Sequence, residues 1–275
     1  MNLEILPFHD NCKQLISKRD SLHENVSNIK TLCIGSSHGD GSFDPRYFPN
    51  SFNLCFRSAD MEHVALLYDS VIDSLPNVKN IIFFYPIYSP GWSMQMDQDE
   101  GWVSLYLNEI FKLKVQYQQH LDFFSIRESL LIGKLDDLHY DIDCYNGFTP
   151  NNGQVILPSD YSPVRRANAH YRFGEMTTYD QMFFDFVDKV KSRNLTLTIV
   201  IPPARSDFTN SMLDIVEGPY MTFFRKTREL YNDTVCFFNS ELFNDSHFAD
   251  TDHMSATGEG PKILTTALYD KFNYK

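Results

Sequence analysis

The sequence lacks several features that would assign it to a large class of proteins. No run of about 18 or more apolar residues occurs, so we expect no membrane-spanning helix. Residues 1–10 contain neither a basic segment nor a long apolar one and are not typical of a signal peptide. Neither G-x-x-x-x-G-K-S/T nor G-x-G-x-x-G is present, which leaves nucleotide binding without support. Together these absences predict a cytoplasmic protein.

Basic side chains are in the minority. Lys and Arg number 24 against 36 Asp and Glu, for a formal net charge of −12. Because nucleic acids and anionic membranes repel such a chain, we expect neither as a partner and favour a neutral or weakly charged substrate. The five cysteines are odd in number, and Cys33, Cys55 and Cys236 stand in apolar runs, as buried free thiols do. Free thiols agree with a cytoplasmic location.

No linker-like segment divides the chain. At 275 residues and 43% hydrophobic content it can bury one large core, so we expect a single domain over 1–275. Residues 1–28 are predicted to form an N-terminal helical extension that packs at the periphery. From about 119 to 174 the periodicity is lost and turn residues accumulate, which predicts an irregular insertion over the edge of the active site.

The remaining sequence alternates between strand and helix patterns. Apolar runs predict strands at 31–34, 51–56, 79–85, 195–201 and 234–238. Amphipathic spacing predicts helices at 12–26, 61–75, 102–115, 180–191, 220–231 and 257–272. This alternation predicts an α/β protein with three layers, α/β/α, in which a doubly wound, mostly parallel sheet of about five strands carries helices on both faces.

A glycine–serine turn follows the first predicted strand. The apolar run 31–34 breaks at Gly35 and continues as Ser36 and Ser37. Ligands of open α/β sheets bind at the carboxyl ends of the strands, so a serine here is a candidate nucleophile. Near the other end of the chain, Asp250 and His253 arrive together on one turn as a candidate base and its orienting carboxylate. The alternatives are serines that only cap a helix and a solvated acidic turn.

These two stretches resemble the opening and closing blocks of the SGNH (GDSL-like) hydrolase superfamily. The block G-D-S of that family is matched by Gly35-Ser36-Ser37, and D-x-x-H by Asp250-Thr251-Asp252-His253. The continuation Asp252-His253-Met254-Ser255-Ala256-Thr257-Gly258 is similar to the D-H-L-N-x-x-G of relatives that decorate bacterial polysaccharides. The resemblance implies a three-layer, flavodoxin-like architecture, with Ser37 as nucleophile, His253 as acid/base and Asp250 as its orienting partner. Asp252 is the weaker candidate for that last role.

The resemblance also implies donors for the charge that develops on a carbonyl oxygen. Ser58 stands where the family usually has a glycine whose backbone N–H donates. The third block departs from the family, because the strand near residue 85 is followed by Pro86-Ile87-Tyr88-Ser89 and not by G-x-N-D. Either Ser89 or Tyr88 replaces the asparagine, or the oxyanion hole has two members.

Other polar groups are candidates for substrate contact. Arg205 follows a strand end and either binds a polar substrate or pairs with Asp207. In the insertion, cationic and aromatic residues that suit a sugar or an acyl donor are Tyr161, Arg165, Arg166, His170 and Tyr171. Residues able to bind a metal are His247, Asp250, Asp252 and His253, but their spacing matches no known metal motif, and we expect neither metal nor cofactor.

The sequence therefore predicts a serine-dependent esterase that acts on an O-acyl group, with a carbohydrate ester as the expected substrate. The same apparatus serves an O-acetyltransferase that takes an acyl donor and modifies a surface polysaccharide or its precursor. A third alternative is a non-catalytic α/β module in which Ser36, Ser37 and the loop 39–41 bind a small polar ligand as an anion nest.

Overall fold

The computed structural model describes residues 9–94, 96–97, 100–114, 135–150, 162–172, 177–215, 227, 229, 235–237 and 242–273. The helices in these ranges are α1 His9–Asn25, α2 Ser37–Asp40, α3 Met61–Val71, α4 Gly101–Phe111, α5 Pro163–His170, α6 Thr177–Ser192, α7 Ser206–Ile215 and α8 Gly260–Asn273. The strands are β1 Thr31–Gly35, β2 Ser51–Asn53, β3 Asn80–Phe84, β4 Thr196–Ile201 and β5 Val235–Phe237. None of the described helices combines the length and the apolar character needed to cross a bilayer.

The strands form one parallel sheet in the order β2-β1-β3-β4-β5. Cys33 of β1 lies opposite Ile82 of β3, and Ile82 opposite Thr198 of β4. The chain adds β2 on one side of β1 and the later strands on the other, so the order reverses between β1 and β3. A reversal of this kind opens a crevice at the carboxyl ends of the two strands, where open α/β sheets bind ligands. The predicted α/β class and parallel sheet are confirmed.

Alternate residues of the strands pack into separate cores on the two faces of the sheet, as the two-residue period of a strand dictates. One core contains Ile34 and Phe83 and is covered by side chains of α1, α3, α4 and α6. The other contains Cys33 and Phe84 and is covered by Leu264 and Leu268 of α8. A sheet buried on both faces accounts for the nearly continuous apolar runs of its central strands.

Several element boundaries differ from the predictions. The strand predicted at 51–56 is shorter in the structure and ends at Asn53, although the N–H groups of Leu54 and Phe56 still donate to Cys33 O (2.7 Å) and Gly35 O (3.1 Å) of β1. The helix predicted at 61–75 is α-helical only to Val71 and ends in a 3-10 turn. The last helix begins at Gly260 and not at 257, and α7 was not predicted. The helix predicted at 220–231 falls outside the described residues, apart from 227 and 229.

The insertion predicted as irregular contains regular structure in its described parts, 135–150 and 162–172. Tyr145 and Phe148 pair across a tight turn. Helix α5 begins at Pro163, the residue best suited to a first helical position. Helix α5 was not predicted, because Ala167 is its one buried residue and no apolar stripe marks the helix.

Helix α1 is inserted into the domain and is not peripheral as predicted. Leu15 and Ile16 belong to the core, and the side chain of Lys18 is only 1% exposed. Its Nζ lies 2.8 Å from Asp40 Oδ1 and donates to Asn53 O. An isolated buried ammonium is very costly, so these acceptors stabilise both the lysine and the turn that carries Asp40.

Candidate active site

The turn that carries Ser37 depends on a close approach between two backbones. Gly35 ends β1 with φ +130°, and a Cβ there would lie 2.2 Å from Phe84 O. Only glycine fits such a position, so the chain can turn directly beside β3. Ser36 then caps α2, with its Oγ accepting from the N–H of His38. Ser37 is the first helical residue, at the carboxyl edge of the sheet and half-buried.

Helix α2 is only four residues long, and side chains from other parts of the chain hold it in place. The side-chain amide of Asn53 donates to Gly39 O (2.9 Å) and Phe43 O (2.7 Å), while its Oδ1 accepts from the N–H of Cys55 (3.0 Å). A Cβ on Gly39 would lie 2.5 Å from Cys55 Sγ, so α2 presses against the strand below it. A helix this short has little stability of its own, and these contacts fix the position of Ser37.

The second half of the site is a tight turn closed by the pairing of Phe248 with Met254. Within it, Asp250 Oδ1 accepts from the backbone N–H groups of Asp252 (2.9 Å) and His253 (2.6 Å). This is the local side-chain capping for which aspartate is favoured in turns. The other oxygen, Oδ2, lies 2.9 Å from His253 Nδ1. One carboxylate therefore shapes the turn and orients the imidazole.

The two halves meet at a hydrogen bond between Ser37 Oγ and His253 Nε2, 2.8 Å long. If Nδ1–H donates to Asp250, Nε2 is the acceptor and the serine hydroxyl donates to it. Burial alone would lower the pKa of His253, but Asp252 and Asp250 outweigh it and hold the pKa above the usual 6.5. Burial would raise the pKa of Asp250, but the hydrogen bond and the charge of His253, with the backbone N–H of Asp252, together outweigh it and keep the pKa low. The three predicted catalytic residues thus form a connected Ser–His–Asp triplet.

Asp252 diverges from His253 and lies at the centre of a buried cluster. Its carboxylate, which is 0% exposed, accepts from His170 Nε2 (2.9 Å), Arg166 Nε (3.0 Å) and His38 Nε2 (3.2 Å). The charge of His253 lowers the pKa of Asp252 most, and His170 and His38 act in the same direction. Together they outweigh the burial that would raise this pKa and hold it well below its usual range. Sequence reasoning noted Arg166 and His170 only as substrate contacts, and His38 was missed although it follows Ser37 directly.

Ser58, predicted as an oxyanion donor, has a left-handed backbone conformation. Its φ is +57°, in the left-handed region where glycine is favoured. Trp92 Nε1 donates to its carbonyl oxygen (2.8 Å), which stabilises the conformation. Within the described part of the chain, neither Ser37 N–H nor Ser58 N–H donates a hydrogen bond. Both backbone N–H groups are therefore unpaired within those residues.

Among the described residues, Tyr88, Ser89 and Arg205, also predicted to contact the oxyanion or the substrate, do not bond to the Ser37–His253–Asp250 triplet. The hydroxyl of Tyr88 lies 3.2 Å from His38 Nδ1, and Ser89 is buried without a hydrogen bond to the Ser37 triplet. Arg205 pairs with Asp207 at 2.7 Å, the structural alternative given above, and its backbone N–H donates to Thr251 O. Neither Ser89 nor the Arg205 guanidinium is bonded to the triplet, and Tyr161 lies outside the described residues.

Comparison of the chain with protein-family models, with curated proteins and with solved structures finds no match. No family is therefore assigned by likeness to a known protein.

The predicted alternative of a metal site involves a different set of residues from the one expected. Donor atoms of His38, Asp252 and His253 lie within 4.8 Å of one another. His247 is not among them, because its Nδ1 accepts from the N–H of Asn244 in a capping box. The Arg166 guanidinium already binds Asp252, and a cation there disfavours a second one. The donor set suits a hydrogen-bonded ion pair better than a metal ion.

A second Ser–His–Asp triplet lies elsewhere in the chain. His63 Nδ1 is 2.6 Å from Asp60 Oδ1, and His63 Nε2 is 2.7 Å from Ser104 Oγ. All three residues are buried, and Asp60 also accepts from the hydroxyl of Tyr179 and the N–H of Met94. Asp60 caps the first turn of α3 by accepting from the N–H of His63. This triplet joins α3 to α4, α6 and the loop at residue 94.

Proposed function

We propose that the protein is a serine esterase of the SGNH type, which cleaves an O-acyl ester through an acyl-enzyme. The observation that carries the proposal is the 2.8 Å contact between Ser37 Oγ and His253 Nε2, in a site where Asp250 orients the imidazole. Included in the proposal is the three-layer, doubly wound α/β/α arrangement of that family, with Ser37 at the carboxyl end of β1.

The reaction follows from the positions of these groups. Ser37 Oγ attacks the ester carbonyl carbon while His253 Nε2 takes the hydroxyl proton. The oxyanion accepts hydrogen bonds from the backbone N–H groups of Ser37 and Ser58. When the tetrahedral intermediate collapses, the bond to the alcohol oxygen breaks and His253 returns the proton to that oxygen. Water then attacks the acyl carbon while His253 Nε2 takes one of its protons. The bond between the acyl carbon and Ser37 Oγ breaks, His253 returns the proton to Ser37 Oγ, and the carboxylic acid leaves.

The proposed substrate is an O-acylated carbohydrate. The resemblance of the segment 252–258 to polysaccharide-decorating relatives favours a sugar ester, and the same acyl-enzyme would serve an O-acetyltransferase if a sugar hydroxyl replaced water as acceptor. The balance between hydrolysis and transfer depends on how well water is excluded from the acyl-enzyme.

The non-catalytic binding module is less well supported. A simple anion nest needs no imidazole at the serine hydroxyl, and here Ser37 Oγ is within hydrogen-bond reach of an oriented one. The absence of the third-block asparagine, the main argument for the module, removes one oxyanion donor. Two backbone donors remain available within the described residues.

The test uses p-nitrophenyl acetate and a fluorophosphonate on the purified protein. We expect a burst of p-nitrophenol and a single covalent adduct on Ser37 by mass spectrometry, both lost in Ser37→Ala and His253→Ala. Ser36→Ala is the matched control, because it removes the neighbouring serine, costs about 1 kcal/mol of cap stability and leaves the adduct in place.

An adduct that persists in Ser37→Ala, or wild-type protein that forms none with either reagent, would overturn the proposal. With the adduct established, added sugars separate the two reactions: release of acylated sugar identifies a transferase, and release of acetate alone identifies a hydrolase.

A further inference from the structure

The Asp252 cluster lies directly behind the proposed base. The ring of His38 stacks on the ring of His253, with centroids 4.4 Å apart and an angle of 21° between the planes. Asp252 Oδ1 is 3.8 Å from His253 Nδ1, and Arg166 Nη2 is 3.5 Å from the same nitrogen. A carboxylate and a guanidinium therefore approach the imidazole together, on the side away from Ser37.

The two other histidines of the cluster are neutral donors. His38 and His170 each present Nε2 to Asp252, which fixes their N–H on that atom. Burial lowers the pKa of His38 to about 4, with the neighbouring His253 acting in the same direction. Burial also lowers the pKa of His170. The hydroxyl of Tyr88 lies 3.2 Å from His38 Nδ1, and burial raises the pKa of Tyr88, so this hydroxyl keeps its proton and donates.

Among the described residues, the charged and titratable groups that face His253 come from three parts of the chain. Helix α2 contributes Ser37 and the neutral His38, and helix α5 contributes the neutral His170 and the cationic Arg166. The turn of His253 itself contributes two carboxylates, Asp250 and Asp252. Asp250 binds the imidazole directly and orients it. Asp252 and Arg166, which have opposite charges, are the remaining groups that affect the protonation of His253.

We propose that Asp252 and Arg166 are paired positioning residues with opposite effects on His253, and that together they govern when His253 can hold the proton of Ser37. Asp252 stabilises the imidazolium and Arg166 destabilises it, both across less than 4 Å. The inference rests on the proposed function, because it takes His253 as the general base.

The opposite signs give a test that a purely structural role would not pass. Asp252→Asn removes a negative charge, so the imidazolium loses stabilisation and the pKa of His253 falls by about one unit. Arg166→Gln removes a positive charge, so the pKa rises by about half a unit or more. His253 must be neutral to act as a base, so the rate at which Ser37 is labelled falls when the pH drops below the pKa of His253. This acid limb of the pH profile should move to lower pH in Asp252→Asn and to higher pH in Arg166→Gln.

The experiment measures the acid limb with a fluorophosphonate and the pKa of the His253 ring by ¹⁵N NMR. Arg165→Gln is the matched control, since Arg165 is the adjacent and exposed arginine of α5, and we expect no shift in either readout. Arg166→Lys restores the charge and should return the limb toward its wild-type position.

The outcomes separate this inference from the proposed function. If wild-type Ser37 is not labelled, the proposed function fails, and the NMR titration still tests the opposed pair. If Ser37 is labelled but the limb and the NMR titration of Arg166→Gln coincide with those of wild type, the inference is overturned. Asp252→Asn removes the acceptor of several buried donors; if it does not fold, the upward shift in Arg166→Gln alone decides.

Discussion

The triplets Ser37–His253–Asp250 and Ser104–His63–Asp60 have the same local construction. In each, an aspartate and a histidine three residues apart form D-x-x-H, and the carboxylate binds both the backbone N–H and Nδ1 of that histidine. In each, Nε2 lies within 2.8 Å of a serine Oγ. In each, the pKa of the histidine is raised, with the partner aspartate acting against a burial that would lower it.

The triplets differ in access. His63 is 0% exposed and lies inside the core, whereas the side chain of His253 is 24% exposed at the carboxyl edge of the sheet. Hydrogen-bond lengths and pKa directions therefore do not distinguish a site that can meet a substrate from one that stabilises the fold. What distinguishes them is the half-buried serine at a strand end, where a reacting group can approach Oγ.

The largest expected effect is on the acylation rate, when the aspartate of each triplet is replaced in turn by asparagine. Asp250→Asn keeps an oxygen to cap the turn but places an amide against His253 Nδ1, which reverses the tautomer, so the acylation rate falls by about 10⁴-fold. Asp60→Asn should change the rate of the folded protein by less than about twofold, because it lies outside the reacting set. Stopped-flow release of p-nitrophenol measures both.

Equal losses of rate in folded Asp250→Asn and Asp60→Asn would remove the distinction between the triplets. Circular dichroism of each variant at the assay temperature is the control for folding.

A smaller effect is expected on stability, and here the substitution in the Ser104–His63–Asp60 triplet should cost more than the one in the Ser37–His253–Asp250 triplet. His63→Gln breaks a fully buried pair and leaves Asp60 and Ser104 with poorer partners, at a cost of about 3 kcal/mol in the free energy of unfolding. His253→Gln, at a partly exposed position, should cost less than about 1 kcal/mol. Urea unfolding measures both, and a larger loss in His253→Gln than in His63→Gln would contradict the assignment of roles.

The smallest effect is expected at Ser58, two residues before Asp60. Ser58→Gly removes about 1 kcal/mol of strain from the left-handed backbone, which raises the free energy of unfolding. The higher entropy of glycine in the unfolded chain offsets much of this gain. The backbone N–H remains, so the acylation rate should stay within about twofold of wild type. A drop of about tenfold or more would mean that the Ser58 hydroxyl is the donor and not the backbone.

The members of the Ser37–His253–Asp250 triplet could be named from the sequence because each half of the site is local. Gly35 to Ser37 mark a turn after a strand, and Asp250 caps the turn that holds His253, so each half leaves a local signal. The choice of Ser37 over Ser36 came from the resemblance to the SGNH blocks. The same reasoning overlooked the D-x-x-H of Asp60, since that spacing also suits the first turn of a helix. The motif reports a capped turn, and only the fold shows whether a substrate can reach it.

The Asp252 cluster could not be predicted because its members are distant in sequence. His38 and Arg166 meet Asp252 only after the sheet and α5 have formed. Helix α5 itself gave no periodic signal, because it packs through Ala167 and polar groups. The central strands were predicted well since both their faces are apolar. The strand predicted at 51–56 was too long, because the apolar run continues past Asn53, where β2 ends, while Leu54 and Phe56 still hydrogen-bond to β1.

The burial of Lys18 has a practical consequence for anyone shortening the chain. A truncated chain that begins at β1 would keep every strand of the sheet. It would nevertheless lose Lys18 and Gln14, which bind the carboxylate of Asp40 in α2. That carboxylate would remain in a closed interior without its counter-ion. Material made that way would be expected to aggregate or lose activity, and its failure would report a lost cation and not an inactive serine.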